Sequence, residues 1–244
     1  MTDTFRIKGF IPSSFIDWPG KICSIIFLAG CGFRCPACHN SRLVLGHDSI
    51  PDYPFSEILN HLQSRKKWID GVTVTGGEPT IRRDLPDLLM KLRDCGTSIK
   101  LDTNGSNPSM LKYLLHAGLV DAVSMDVKAP LTSAHYSKAA GVPVGIRVIR
   151  RSIEILKGSG REVAFRTTVI PGLVEEPELE SIRQSLGTVQ RFIVQAFRSR
   201  ETLNPEFARI GEFTLERLEA MRARFEVPAA VPVAHESGAF ARVG

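Results

Sequence analysis

Three of the chain's five cysteines fall in one short segment, Cys31-Gly32-Phe33-Arg34-Cys35-Pro36-Ala37-Cys38-His39. Thiols this close together, in a loop carrying Gly and Pro, can converge on one metal centre, because a thiolate is a soft anionic donor. Two chemistries fit the donor set. Cys31, Cys35, Cys38 and His39 make a Cys₃His set for tetrahedral zinc, although adjacent Cys38 and His39 are poorly placed to reach one ion together. A [4Fe–4S] cluster held by Cys31, Cys35 and Cys38 alone leaves one iron without a protein ligand, since a complete shell takes four cysteines. An open iron is a place to bind and activate a small molecule. Cys23, inside an apolar run, and Cys95, at the end of a helical pattern, read as small buried apolar residues. The odd total, with no signal-peptide pattern in the first six residues, argues against a disulfide framework.

Further polar groups stand where strand-like runs end. Gly76-Gly77-Glu78-Pro79 follows the run Gly71–Thr75. Its glycines allow close backbone approach to a ligand, and Glu78 supplies an anionic acceptor for a cationic group; alternatively this is a strand-to-helix turn with an exposed Glu. Asp102-Thr103-Asn104-Gly105 and Asp126-Val127-Lys128 close the next two runs. An Asp pair on neighbouring strands makes an oxygen-rich site for a hard cation, or else an ion-pair cluster with Lys128. Arg166 lies in Phe165-Arg166-Thr167-Thr168-Val169-Ile170-Pro171-Gly172, and Gln195 in Gln195-Ala196-Phe197-Arg198.

What must position these groups is an alternation. Short apolar runs predict strands at Lys21–Leu28, Gly71–Thr75, Ser98–Asp102, Ala122–Asp126, Val163–Ile170 and Gln190–Phe197. Between them, helical spacing predicts Glu57–Arg65, Leu85–Cys95, Ser109–His116, Ile146–Lys157, Glu178–Leu186 and Leu215–Phe225. Ile146, Ile149, Ile153 and Leu156 share one face of the fourth. Gly96, Gly118, Gly158 and Gly187 stand where left-handed C-terminal caps are expected. Six strand–helix alternations with no hairpin signal predict parallel strands joined by right-handed crossovers. A doubly wound sheet and an incomplete (β/α) barrel both fit, and in either the functional groups gather at the C-terminal strand ends.

On these motifs the chain resembles the radical S-adenosylmethionine (SAM) enzymes. The spacing of Cys31, Cys35 and Cys38 is similar to that family's cluster signature, and Gly76–Pro79 looks like its GGEP segment. The resemblance implies an α/β fold, a partial (β/α)₆ TIM-type barrel. It further implies one domain over residues 1–244, with its core at about 20–225 and a tail from 228. It also implies a [4Fe–4S] cluster whose open iron takes the amino and carboxylate groups of SAM, and cleavage of the sulfonium to methionine and a 5′-deoxyadenosyl radical. Within the family, the later motifs resemble the glycyl-radical enzyme activases. There Asp102 and Asp126, with Thr103, would form a Na⁺ or K⁺ site beside the cofactor carboxylate. Asn104 and Lys128 would face the same pocket, Arg166 would point to that carboxylate, and Ile170 would lie near the adenine. Gln195 falls in a segment similar to one subgroup's, as does the lead-in Phe15-Ile16-Asp17-Trp18-Pro19-Gly20-Lys21. The likeness is greatest to activators of anaerobic (class III) ribonucleoside-triphosphate reductase, then to pyruvate formate-lyase activators. It implies a glycyl-radical enzyme as partner and a flavodoxin or ferredoxin as electron donor. Ala37 departs from the pattern, standing where an aromatic residue usually packs near the adenine; Phe33 is the candidate to replace that contact.

Composition is that of a soluble globular protein: 244 residues, 43% hydrophobic and 23% charged. The net charge of +5 is spread over interleaved signs, as in Arg198, Arg200, Glu201, Glu206, Arg209 and Glu212. That pattern predicts a solvated surface rather than a nucleic-acid footprint. Without a long apolar run no membrane span is expected, and the compartment expected is the cytoplasm. Three functions compete: an activase drawing hydrogen from a partner's glycine, a radical SAM enzyme acting on a small molecule, and a zinc-binding interaction module. About six strand–helix units use nearly the whole length, which favours an open lateral mouth that admits a partner's peptide loop.

Overall fold

The structure is a computed structural model and describes residues 5–200 and 202–228. Seven strands form one sheet in sequential order: β1 (Ile7–Ser14), β2 (Cys23–Leu28), β3 (Gly71–Gly76), β4 (Ser98–Thr103), β5 (Ala122–Asp126), β6 (Glu162–Val169) and β7 (Phe192–Ala196). From β2 to β7 every pairing is parallel. The crossovers carry α1 (Ser41–Leu45), α2 (Phe55–Ser64), α3 (Leu85–Asp94), α4 (Pro108–His116), α5 (Ser133–Ala140), α6 (Ile146–Lys157) and α7 (Glu176–Leu186), with α8 (Leu215–Phe225) after β7. Strictly sequential parallel order is what right-handed crossovers of one hand generate when a sheet curls. It is the partial barrel expected, with β1 and β7 at its edges.

One strand was not foreseen. β1 runs antiparallel to β2, against the expectation of parallel strands alone. Gly9 and Pro12 weaken its strand pattern, and Pro is tolerated because β1 is an edge strand. The short helices α1 and α5 were also missed. Helix α7 begins at Glu176, two residues before the expected start, because Glu175 and Glu178 form a capping box there. Gly96, Gly118 and Gly187 have positive φ, but Gly158 caps α6 at φ −87°, so glycine is not required there.

Outward-facing strand residues such as Ile26, Val72, Val74, Ile99, Leu101 and Phe165 are buried against the helices. On α6, Ile149, Ile153 and Leu156 supply the buried stripe, the outcome of its three-and-four spacing. The alternate residues face the concave interior and are largely polar, among them Thr73, Lys100, Asp102, Ser124, Asp126 and Arg166. At the N-terminal ends of the strands Trp18 plugs this interior, packed on Cys23 and Ala122. A Cβ on Gly71 would lie 2.7 Å from the Trp18 ring, so glycine at 71 makes room for the plug. The groups at the C-terminal strand ends line a cleft at the opposite end of this interior. No helix among the described residues is long and apolar enough to cross a membrane. The expected tail lies outside the described residues beyond Pro228.

Candidate active site

The cysteine loop leaves β2 at Gly30, whose N–H donates to Leu43 O at 3.0 Å. The Arg34 guanidinium turns back and donates to Cys31 O (2.6 Å) and Phe33 O (2.8 Å). The Arg34 backbone N–H donates to Ala140 O at 2.8 Å. That approach needs Gly141, at φ +68°, where a Cβ would sit 2.0 Å from Arg34 O. Cys38 N–H closes a turn on Cys35 O, and Asn204 N–H donates to Pro36 O, both at 3.0 Å. The loop is thus fixed by backbone contacts from three directions before any ligand binds.

All five cysteines are free thiols, and Cys31, Cys35 and Cys38 line one cleft. Burial pushes the Cys31 thiol up to about 11, opposed by the Phe33 N–H that donates to its sulfur at 3.3 Å. Asn104 Nδ2 donates to the same sulfur at 3.7 Å. Burial also raises Cys35, with Lys128 opposing. Against a zinc set that includes His39, its Nε2 is hydrogen-bonded to Arg198 O (2.7 Å) and its ring stacks on Phe197. Among the described residues no three His, Cys, Asp or Glu side chains converge on a single ion site. Three free sulfur donors open to one cleft, two N–H groups already directed at one of them, fit a larger iron–sulfur cluster. Cys23 is buried as expected, whereas Cys95 is half-buried at the C-cap of α3.

The segment after β3 is placed against the end of β2. Gly76 has φ +126°, and a Cβ on Gly77 would lie 1.9 Å from Gly30 O. Gly77 and Glu78 N–H donate to Leu28 O (3.0 Å) and Gly30 O (2.8 Å). The glycines therefore serve a backbone-to-backbone approach as well as lining the cleft. Glu78 corrects the expectation of a carboxylate offered to a cofactor ammonium. It is 1% exposed and, with Pro79, lies outside the cleft lining. It accepts from Asn104 N (2.6 Å), Thr103 Oγ1 (2.7 Å), Thr80 N (3.1 Å) and Thr80 Oγ1. Burial pushes its pKa up, and those donors pull it back.

Asp102, Asp126 and Arg166 stand on three neighbouring strands. Arg166 donates through Nη1 to Asp102 Oδ2 (3.0 Å) and through Nε to Asp126 Oδ1 (2.8 Å). Lys128 Nζ donates to Asp126 Oδ2 at 3.0 Å, and Lys100 Nζ to Asp102 Oδ1. Burial alone would raise Asp126, but Arg166 and then Lys128 outweigh it and hold the carboxyl well below the usual range. Burial likewise disfavours charge on Lys128 and Arg166, and their Asp partners more than reverse it. The groove expected for Na⁺ or K⁺ is therefore bridged by the chain's own cations, and the Thr103 hydroxyl is turned to Glu78. The ion-pair alternative describes this cluster.

These groups enclose a cleft of about 250 Å³ at the C-terminal ends of the strands. Phe33, Ala37, Gly76, Gly77, Asp102, Thr103, Asn104, Asp126, Lys128, Arg166, Ile170 and Gln195 line it together with the three cysteines. Sequence reasoning missed Asn40, Val44, Thr75, Ala139 and Thr168. Thr168 was accessible to it, being two residues after Arg166 and so on the same strand face. Asn40 Nδ2 donates to Gly76 O at 2.8 Å, a contact without a sequence signal.

Comparison with known proteins agrees with this geometry. A family model described as the Radical SAM superfamily matches residues 25–184. A Methanocaldococcus jannaschii protein provisionally named a glycyl-radical enzyme activating enzyme is 28% identical over 208 residues, covering 84% of this chain and 85% of the relative. The pyruvate formate-lyase-activating enzyme of Streptococcus mutans is 27% identical over 221 residues, covering 81% and 80%. Among solved structures, Streptococcus suis SuiB bound to its precursor peptide SuiA superposes with a TM-score of 0.62 at 15% identity. That match covers 82% of this chain and 45% of SuiB, and it bears on the fold alone.

Proposed function

The chain belongs to the Radical SAM superfamily, and on that premise we propose that it is an activase that installs a glycyl radical on a partner enzyme. The proposed partner is an anaerobic ribonucleoside-triphosphate reductase, with a flavodoxin or ferredoxin as electron donor. We place this activity in the cytoplasm, in one domain, without nucleic acid or membrane. The observation that carries the reading is the open cleft on which the cysteine loop and the ends of β3 to β7 converge. Similarity to named activating enzymes over most of both chains supports it.

Cys31, Cys35 and Cys38 would hold a [4Fe–4S] cluster, which supplies an electron and an open iron for reductive cleavage of SAM to methionine and a 5′-deoxyadenosyl radical. The chain's own residues orient and enclose. N–H donation from Phe33 and Asn104 offsets negative charge on the Cys31 sulfur. Lys128 and Arg166 outnumber no acidic partner alone, but with Lys100 they leave the ladder one positive charge in excess. That excess suits a ligand carboxylate. Phe33 and Ile170 give apolar surface for an adenine, Gly76 and Gly77 expose backbone, and Gln195 closes the β7 side. Ala37 leaves room there rather than a stacking ring.

The test is anaerobic EPR on the reconstituted protein with SAM, reductant and a candidate reductase. A doublet that collapses on Cα deuteration of the partner's glycine is expected. Formation of 5′-deoxyadenosine coupled to turnover of a small metabolite, without a protein radical, would replace this reading with small-molecule chemistry.

A further inference from the structure

The carboxylates of Asp102 and Asp126 present four oxygens, and each accepts from a cationic group of the chain itself: Lys100 and Arg166 on one, Arg166 and Lys128 on the other. We propose that Lys100, a positioning residue acting through Asp102, takes with Arg166 the place of a monovalent metal ion at this site. Ligand binding in the cleft is then independent of sodium and potassium. The inference rests on the cofactor reading above only for its probe ligand.

Lys100 is 4% exposed and stands two residues before Asp102 on β4, hence on the same interior face. A buried ammonium is held only where an anion meets it, and Asp102 does so. With Arg166, Lys100 also lines a second cavity of about 320 Å³, to which none of the cleft cysteines contributes. Its charge therefore reaches Asp102 from behind the cleft, where a metal ion would otherwise neutralise that carboxylate. The ladder holds three cations against two anions. At the two ladder carboxylates an added Na⁺ would meet no oxygen lacking a cationic partner and would be repelled by all three cations, although Asp17 and Glu162 also line the second cavity. Removing the Lys100 ammonium reverses this. It frees Asp102 Oδ1, balances the remaining charges, and leaves the adjoining cavity for a hydrated ion.

The experiment titrates SAM into the anaerobically reconstituted protein in NaCl, KCl or choline chloride at one ionic strength. In parallel, ²³Na line broadening is followed in the SAM-free protein, with K⁺ as competitor. Wild type is expected to bind SAM with a Kd constant within about twofold across the salts, and to show no saturable sodium site. Lys100→Met is expected to bind at least about fivefold more weakly in choline, to recover in Na⁺ or K⁺, and to gain a K⁺-displaceable sodium signal. Lys100→Arg is expected to behave as wild type. The proposal is overturned if wild type gains affinity severalfold from Na⁺ or K⁺, or shows a saturable sodium site. A folded Lys100→Met as indifferent to cations as wild type overturns it equally. Should Lys100→Met not fold, the wild-type and Lys100→Arg measurements decide. If wild type does not bind SAM at all, the functional reading fails, and the SAM-free sodium measurement still decides the role of Lys100.

Discussion

Replacing Glu78 with alanine should destabilise the protein itself, before any ligand is considered. The carboxylate accepts from two backbone donors that have no freedom to turn away, Asn104 N–H at 2.6 Å and Thr80 N–H at 3.1 Å. The Thr80 and Thr103 hydroxyls can rotate and lose less. A buried donor left unsatisfied costs about 1–3 kcal/mol, so two of them, with the lost side-chain packing, give about 3–5 kcal/mol for Glu78→Ala. Glutamine keeps one oxygen but turns an NH₂ toward one of the two backbone donors, for about 1–3 kcal/mol. Its cost falls toward the low end because burial of the charge, which pushes the Glu78 pKa up, is relieved. For a chain of this length 1 kcal/mol is worth roughly 2–4 °C in Tm, so alanine should lower Tm by roughly 6–20 °C. Urea unfolding of the reduced, cluster-free protein reads the difference as a shift in midpoint at constant m. If Glu78→Ala and Glu78→Gln both unfold within about 0.5 kcal/mol of wild type yet lose SAM affinity, Glu78 faces the ligand and the reasoning is refuted.

Cys31→Ala, Cys35→Ala and Cys38→Ala should each fail to retain iron after anaerobic reconstitution, while Cys23→Ala and Cys95→Ala retain it; iron and sulfide analysis on folded variants separates the two groups. Gly77→Ala should unfold or express insolubly, since its Cβ would meet Gly30 O at 1.9 Å, whereas Gly32→Ala, with nothing within 4 Å, should match wild type in thermal melts. Arg217 pairs with Glu175 and Glu176. Donation from Gly172 N–H and then Arg217 lowers Glu175, and Arg217 lowers Glu176, both from an ordinary 4.5. Their contribution is complete above that value and lost as pH falls through the lower folded values. Urea midpoints from pH 7 downward should therefore drop more steeply on the acid side in wild type than in Arg217→Ala, and equal slopes would remove the pair from the acid response.

The parts of the fold legible in the sequence were those set by periodicity. Strands β2 to β7 and the stripe of α6 follow from runs and spacings that one residue's tertiary contacts do not alter. β1 escaped because an edge strand tolerates the Gly and Pro that disqualify a central one. At the site, the cysteines and the strand-end motifs were legible because their positions at C-terminal strand ends place them on one rim. Direction was not. Residue type marks Glu78 as a charge for a ligand, but only coordinates reveal that four donors within the protein surround it. Lys100 was recoverable in principle: Lys100 with Asp102, and Asp126 with Lys128, are both acid–base pairs at a spacing of two. On β4 that spacing gives Lys100 and Asp102 a shared face, whereas Lys128 lies two residues beyond the end of β5.

The cysteine loop, the glycine pair and the end of β4 also form one closed circuit. A Cβ on Gly77 would press on Gly30 O and come within 3.3 Å of the Cys31 Cβ, so the glycine sets how near Cys31 sits to β3. Glu78 continues from that contact, its N–H on Gly30 O and its side chain on Asn104 N–H. Asn104 then reaches back through Nδ2 to the Cys31 sulfur. Each link is short, and all but the last lie within backbone or buried side chains, where rotation is restricted. A cofactor arriving at this site meets sulfur donors whose positions are already determined, so little ordering entropy remains to be lost on binding. Of the residues that achieve this, Glu78 lies outside the cleft lining, whereas Cys31, Gly77 and Asn104 are part of it. Substitution of Glu78 should therefore disturb the cluster by moving Cys31, even though its side chain lies outside the cleft lining.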